Sequence, residues 1–258
     1  MAVVAKVYIV RHGETDANRE GVIQGHLDTA LNPAGILQAK LVADALEDVP
    51  LGAAYSSDLQ RARKTAEIIL ENHPKLELEA SEALRERFMG EWQGEAIAKR
   101  ANPPPDLEPL IDFHARGVKW WNKTVARLAQ RKASELRTRR DGCATVTKAE
   151  SDGDAGKANG HASLMELEGE EEEMAELGFE PIHILAVSHG GFIGSLVTNL
   201  LGSRKVLAAE GVSTGWCYNA SISVIDIEEN EIGLLISYAD TTHLDGDVLH
   251  CNVDVQLN

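Results

Sequence analysis

Hydrophobic residues in this chain come in two kinds of run. The first is short, continuous and rich in β-branched residues. Val7-Tyr8-Ile9-Val10 and Ile182-His183-Ile184-Leu185-Ala186-Val187 are the clearest, and residues 52–56, 221–226 and 234–238 are weaker versions. Such runs predict buried strands. Leu76-Glu77-Leu78-Glu79 alternates, as an edge strand does. The second kind recurs every three or four residues and predicts helices packed by one face. Leu37, Leu41, Val42, Ala45 and Leu46 form one stripe, and Leu59, Ala62, Ala66 and Ile69 a second. Val118, Trp121, Val125 and Leu128 form a third, within a helix expected over 111–136, and residues 192–201 a fourth. Strands alternating with helices predict an α/β protein with a mostly parallel sheet.

Polar punctuation agrees with this reading. Asn32 before Pro33 is a helix start, with the cap and the first position filled by suitable residues. Ser57 or Asp58 is expected to cap the next helix, and Gly202 to stop the last. Asn102-Pro103-Pro104-Pro105 breaks the chain before the third helix. Glu228-Glu229-Asn230-Glu231 joins two strands as a hairpin.

Composition narrows the class. The chain has 258 residues, of which 43% are hydrophobic. No apolar run reaches the roughly 18 residues of a membrane helix, so no membrane partner is expected. The first strand begins at once, so no secretory leader is expected, and the cytoplasm, with the nucleus also open, is the expected compartment. Cys143, Cys217 and Cys251 are odd in number and scattered. They read as free thiols, and neither a metal nor a cofactor is expected. The formal net charge is −16. Such a field repels nucleic acid, which is not expected as a partner. The sequence identifies no protein partner.

The charge is unevenly spread. Residues 116–140 hold nine Lys/Arg and one acidic residue, and residues 150–180 hold eleven acidic residues and one lysine. The basic stretch is either a solvated helix face or a positive rim that draws in an anionic small molecule. Asp152-Gly153-Asp154-Ala155-Gly156 lacks the ligand spacing of a calcium loop. The acidic stretch is expected to be low in structure, with a short helix over 164–177. A charge-matched flap over 141–178, folding onto the basic helix, is a further expectation.

The chemistry gathers where strands end. Val7–Val10 runs into Arg11-His12-Gly13, and residues 182–187 run into Ser188-His189-Gly190. In open α/β sheets ligands bind beyond the carboxyl ends of strands. If the two strands are parallel neighbours, His12 and His189 converge. Arg61 lies in the first turn of its helix, where a cation opposes the helix dipole unless an anion sits there too. Two arginines and two histidines repel one another unless a multiply charged anion joins them, and a phosphate monoester is the natural one. A deprotonated imidazole can attack phosphorus, and a carboxylic acid can protonate the leaving oxygen. Asn18 and Gln24, in a polar loop, can each donate an amide N–H to an anion or simply hold the loop. His183 lies within its strand and reads as structural.

Arg11-His12-Gly13-Glu14-Thr15 resembles the signature of the histidine phosphatase superfamily, the phosphoglycerate-mutase-like proteins. Ser56-Ser57-Asp58-Leu59-Gln60-Arg61-Ala62 resembles its second-arginine motif, Leu84-Arg85-Glu86 with Gly90-Glu91-Trp92-Gln93-Gly94 its acid/base segment, and Val187-Ser188-His189-Gly190 its second-histidine motif. Leu31-Asn32-Pro33-Ala34-Gly35 with Gln38-Ala39 also fits. The resemblance covers about residues 4–95 and 182–245. It implies a three-layer α/β/α fold around a mixed, mostly parallel sheet of six strands. One histidine phosphatase domain over 1–258 would carry a helical and acidic insertion at about 96–180, lying over the carboxyl edge of the sheet.

The resemblance also implies roles. His12 is the nucleophile and Glu86 the proton donor, with Glu82, Glu91 and Glu95 as neighbouring carboxylates. Arg11, Arg61 and His189 form the phosphate pocket, joined by Asn18, Gln24 and Gly190, and no metal or cofactor is needed. The implied reaction is hydrolysis of a small phosphorylated substrate, a sugar phosphate or bisphosphate. Phosphoglycerate mutase activity, a phosphoprotein phosphatase and a non-catalytic phosphate-binding module are the alternatives. Ile23-Gln24-Gly25, Leu84-Arg85-Glu86-Arg87, Ser213-Thr214-Gly215 and His243-Leu244-Asp245-Gly246 are similar to the fructose-2,6-bisphosphatase (TIGAR-type) members. Where the family often has a Gly-Glu-Ser turn, this chain has Asp112-Phe113-His114-Ala115.

Overall fold

The two apolar runs that end in histidine lie side by side. Val3–Arg11 (β1) and Ile182–Ser188 (β4) pair in parallel, with Val7 opposite Ile184 and Arg11 opposite Ser188. Leu51–Ser57 (β2) pairs in parallel with β4, and Leu78–Ser81 (β3) with β2. On the other side of β1, Ile222–Glu228 (β6) runs antiparallel and forms a hairpin with Gly233–Asp240 (β7). Val206–Ala208 (β5) adds to β7 in parallel. The computed structural model describes residues 1–100, 102–150, 174–175 and 177–244, with 143–150 as backbone only.

The sheet is mixed and mostly parallel, in the order β3-β2-β4-β1-β6-β7-β5. It has seven strands where six were expected. The added strand is β5, whose three residues are too few to show any period in the sequence.

Helices cover both faces, which gives the three layers. On one face lie Pro33–Ala45 (α2) and Gln60–Ile69 (α3). Their Val42, Ala62, Ala66 and Ile69 pack against Val10, Leu185 and Val187. On the other lie Leu110–Trp121 (α4), Arg127–Glu150 (α5) and Gly190–Gly202 (α6). Their Phe113, Trp121, Val125, Phe192 and Leu196 pack against Val7, Ile9 and Ile184. Successive strand residues point to opposite faces, so β1 serves both cores. Asp16–Glu20 (α1) is a single short turn after β1. Among the described residues no helix is long and apolar enough to cross a membrane.

Three helical expectations need correction. In α2 the buried residues are Gly35, Gln38, Ala39, Val42 and Ala43, and Leu37 is 48% exposed. The helix turns its small residues inward because it packs against loop backbone rather than only against side chains. In α3 the cap is Leu59, with no side-chain hydrogen bond. Asp58 is instead engaged by Arg85, whose Nε and Nη2 reach its two carboxylate oxygens.

The third helix is longer than expected. It runs through α4, a π-helical turn (Asn122–Ala126) and α5. The extra residue of the π turn shifts the seam, so Trp120 and Trp121 are both buried while Val118 and Leu128 are only half-buried. The length of this helix packs on a face of the sheet; only its start, at Arg116, and residues 96–97, which pair with Val22 and Gly21, lie at the carboxyl edge. Rising about 1.5 Å per residue, it carries its basic residues away from the ends of β1 and β4. Arg137 and Arg140 bond Glu229, whose N–H donates to Ala2 at the opposite end of β1. The basic cluster beyond Arg116 is therefore no rim to a site at the strand carboxyl ends. Most of the acidic helix over 164–177, and most of the flap over 141–178, lie outside the described residues. The described end of that segment packs on α5, with Phe179 buried under Lys132 and Arg139 bonding the Leu177 and Gly178 carbonyls.

One contact explains the Leu31–Gly35 motif. Gly13 and Gly35 touch backbone to backbone: a Cβ on Gly13 would fall on Gly35 O, and one on Gly35 would fall on Glu14 O. Glu14 is fully buried there. Its N–H donates to Gln38 Oε1 (2.8 Å), and its carboxylate accepts from Asn32 Nδ2 (2.7 Å) and Arg19 Nη2 (2.6 Å). Alanine normally stabilises a helix over glycine by about 1 kcal/mol. Gly35→Ala should nevertheless destabilise, by about 1–3 kcal/mol, because the new methyl meets backbone that cannot move aside. Thermal denaturation of the variant checks this, and an unchanged or raised melting temperature would contradict it.

Candidate active site

Four adjacent parallel strands, β3-β2-β4-β1, deliver one candidate group or pair each from their carboxyl ends. Arg11 ends β1 and His12 follows it. His189 follows β4 and caps α6 at Gly190. Arg61 stands in the first turn of α3, after β2. Glu86 follows β3. The register that pairs Arg11 with Ser188 places the two histidines one step further along neighbouring strands. Their ring centroids are 5.1 Å apart, edge to face. Arg11, His12, Arg61 and His189 are all at most 1% exposed.

Main-chain groups hold this cluster in place. His12 N donates to Ser188 O (2.9 Å), and His12 O accepts from Asn219 Nδ2 (2.9 Å) and Ala220 N (3.2 Å). His12 Nδ1 lies 2.7 Å from Gly13 O. A carbonyl only accepts, so Nδ1 carries the proton and Nε2 the lone pair. Arg11 Nη1 donates to Cys217 O (2.6 Å), and Arg61 donates to Leu27 O (2.7 Å) and Gly25 O (2.8 Å). Thr65 links the two motifs: its hydroxyl accepts from Gly13 N (3.0 Å) and donates to Arg61 O (2.8 Å).

The loop after β1 is organised by Thr15. Its hydroxyl lies 3.0 Å from both Asn18 Oδ1 and Gln24 Oε1 and shares its one hydrogen between them. Thr29 Oγ1 also donates to Gln24 Oε1. The carbonyl ends of both amides are thus turned into the loop, which sets their donor nitrogens on the opposite side. Both side chains are buried. Gly190 begins α6, and a helix N-terminus favours an anion; Gly191 N there already donates to the Glu86 carboxylate.

Electrostatics follow from burial and cation density. Burial, then Arg61, then Arg11, pushes the His12 imidazole well below its usual value near 6.5, with the Gly13 bond opposing. Burial, then Arg61, His12, Arg11 and Arg116, pushes His189 the same way. Among the described residues neither ring nitrogen of His189 has a hydrogen-bond partner, although both are buried. Both imidazoles are held neutral around neutral pH.

Of Glu82, Glu86, Glu91 and Glu95, Glu86 is the one bonded beside His189, at Gly191. Its Oε2 accepts from Gly191 N (2.9 Å) and its Oε1 from Arg87 N (2.8 Å). Glu82 pairs with Arg85 and is 78% exposed in its side chain, and Glu91 and Glu95 are exposed. A Cβ at Gly191 would press on the Glu86 carboxylate and shift it.

All the candidates at this edge are brought together, but several supports were missed. Thr65, Asn219, His26 and Arg116, which bond the candidates or their backbone, and Glu108, which pairs with Arg116, were given no role in the sequence, and neither was Thr15 beyond its place in the first motif. Thr15 adjoins the Arg11-His12-Gly13 motif and Thr65 stands one helical turn after Arg61, so spacing was a usable signal for those two. The others come from irregular segments or from the basic helix and carry no local signature. Asp112-Phe113-His114-Ala115 lies inside α4, with Phe113 in the core, and so does not stand in for a turn.

A buried cluster of two histidines and two arginines at strand carboxyl ends, with a carboxylate beside it, defines a phosphate-handling α/β enzyme. The chain belongs to the histidine phosphatase superfamily (branch 1), whose family model matches residues 7–138. It is a phosphatase of that superfamily. It is 30% identical over 235 residues to the fructose-2,6-bisphosphatase TIGAR B of Danio rerio, covering 83% of each chain. It is 26% identical over 255 residues to a broad-specificity phosphatase of Saccharomyces cerevisiae, covering 95% of this chain and 90% of that one. A solved mycobacterial glucosyl-3-phosphoglycerate phosphatase, in complex with inorganic phosphate, shares the fold. Its TM-score is 0.59 at 22% identity, over 93% of this chain and 100% of that one.

The depressed imidazoles make a stability prediction. Unfolded histidine takes up a proton near pH 6.5, and the folded site does so only at lower pH. Stability is therefore full above about pH 6.5 and falls as the pH drops from there toward the folded value. Each histidine contributes at most about 1.4 kcal/mol per pH unit. His189→Gln should flatten the fall in melting temperature between pH 7 and 5, and an unchanged slope would show that His189 is not held neutral.

Proposed function

We propose that the protein hydrolyses the phosphomonoester of a small metabolite through a phosphohistidine at His12. The observation that carries this reading is the meeting of His12, His189, Arg11 and Arg61 in one buried cluster, with His12 Nε2 carrying the lone pair. Neutral His12 attacks phosphorus, the ester P–O bond breaks, and Glu86 gives its proton to the leaving alkoxide. Glu86, now a carboxylate, takes a proton from water, which attacks phospho-His12, and inorganic phosphate and free His12 result.

Arg11, Arg61 and His189 offset the charge on the phosphoryl oxygens, with Asn18, Gln24 and the α6 N-terminus at Gly190 as further donors. The unaided reaction is among the slowest in biology, so fixed positive groups have the largest part in it. The name of one relative, a fructose-2,6-bisphosphatase, favours sugar phosphates or bisphosphates as the substrate class.

Acid–base behaviour tests the intermediate. Enzyme mixed with radiolabelled substrate and quenched in denaturant should hold one label per chain, stable in alkali and lost in acid. His12→Ala should hold none and turn over nothing while keeping its fold by circular dichroism. Label retained in that variant would remove His12 as the nucleophile. Glu86→Gln should slow hydrolysis of an alkyl phosphate by about 10²–10⁴-fold, and p-nitrophenyl phosphate far less. Equal slowing of both would assign the acid elsewhere.

A further inference from the structure

The side chain of Glu86 is held from the sheet side, but its backbone is held from elsewhere. Arg116 Nη2 (2.7 Å) and His26 Nε2 (2.9 Å) both bond Glu86 O. Arg116 Nη1 reaches Arg85 O (2.6 Å) and Ala83 O (3.1 Å). One guanidinium thus closes over three carbonyls of the segment that presents the acid. Its plane lies over Phe113 and Phe192, at 4.8 and 5.7 Å from the ring centroids.

Glu108 completes the clamp. Its carboxylate pairs with Arg116 Nε (2.8 Å) and Nη2 (3.1 Å), and also accepts from Phe88 N (2.9 Å). Its N–H donates to Phe88 O (3.0 Å), and its carbonyl accepts from Arg87 Nε (2.7 Å). Residues 83–88 are therefore gripped from outside by α4 and the loop before it. Phe113 and Trp120 already place α4 in the apolar core. A largely buried ion pair spent on the carbonyls flanking one carboxylate needs another reason.

We propose that Arg116, with Glu108 as its counter-ion, is a positioning residue that sets where the Glu86 carboxylate meets the leaving oxygen. The proposal rests on Glu86 as the acid/base group. Arg116 bonds the backbone and leaves that carboxylate its own donors, Gly191 N and Arg87 N. Lysine at 116 keeps the charge but cannot bond three carbonyls and a bidentate carboxylate together.

The test compares Arg116→Lys, Glu108→Gln and Glu86→Gln in the full chain, with glycerol 1-phosphate and p-nitrophenyl phosphate as substrates. Misplacement by about 1 Å costs up to about 10²-fold. Arg116→Lys should lower kcat for glycerol 1-phosphate by roughly 10–100-fold, with KM and p-nitrophenyl phosphate turnover little changed. In the Glu86→Gln background it should add no further discrimination between the two substrates. Equal loss on both, no loss, or full additivity would overturn the proposal. Should Arg116→Lys not fold, Glu108→Gln, which keeps the shape of the side chain, carries the same comparison. If Glu86→Gln itself fails to discriminate, the reading of Glu86 is wrong and the proposal falls with it; discrimination by Glu86→Gln alone sinks only the clamp.

Discussion

Two guanidiniums and two imidazoles share a space that admits almost no water, and the rest of the architecture is shaped by that. Removing a charged group from water costs several kcal/mol even after relaxation. Main-chain carbonyls are turned toward both arginines: Cys217 O to Arg11, and Gly25 O and Leu27 O to Arg61. Carbonyl dipoles steady a guanidinium without cancelling its charge. The imidazoles respond by staying neutral, which keeps the cluster at two formal cations and leaves His12 with an available lone pair.

That arrangement needs a rigid frame, and the frame is built from glycine contacts and buried amides. Gly13 against Gly35 lets α2 approach the end of β1 closely enough for Gln38 and Asn32 to hold Glu14. Thr65 joins the first motif to the second, and Asn219 joins the first to the loop before β6. A buried amide or hydroxyl must find a partner or lose about 1–3 kcal/mol, so each such residue accepts few alternative placements. Precision at His12 follows from that intolerance.

The acid/base segment is treated differently. It follows a four-residue edge strand, paired on one side only. Its order comes from outside: from Arg85 on Asp58, His26 on the Glu86 carbonyl, and Arg116 with Glu108 across residues 83–88. Three separate stretches of chain thus compensate for a weak local structure.

Much of this was legible in the linear order of residues. Strands ending in Arg11-His12-Gly13 and Ser188-His189-Gly190, and Arg61 at a helix start, are local features whose chemistry is written in neighbouring residues. Apolar periodicity likewise exposed the α/β class, since burial on one face imposes a period on the chain itself. What needed three dimensions was everything set by contacts between distant segments. The inward face of α2 and the fate of Asp58 were decided by what they pack against, and β5 by the strand it joins. The course of the basic helix, away from the strand carboxyl ends, was decided by its docking on the sheet. Which of four carboxylates lies beside Gly191, and its link to Arg116, were decided by how β3, α6 and α4 come together. A chain records its own periodicities directly, whereas a partner a hundred residues away leaves no local trace and is chosen only when the layers close.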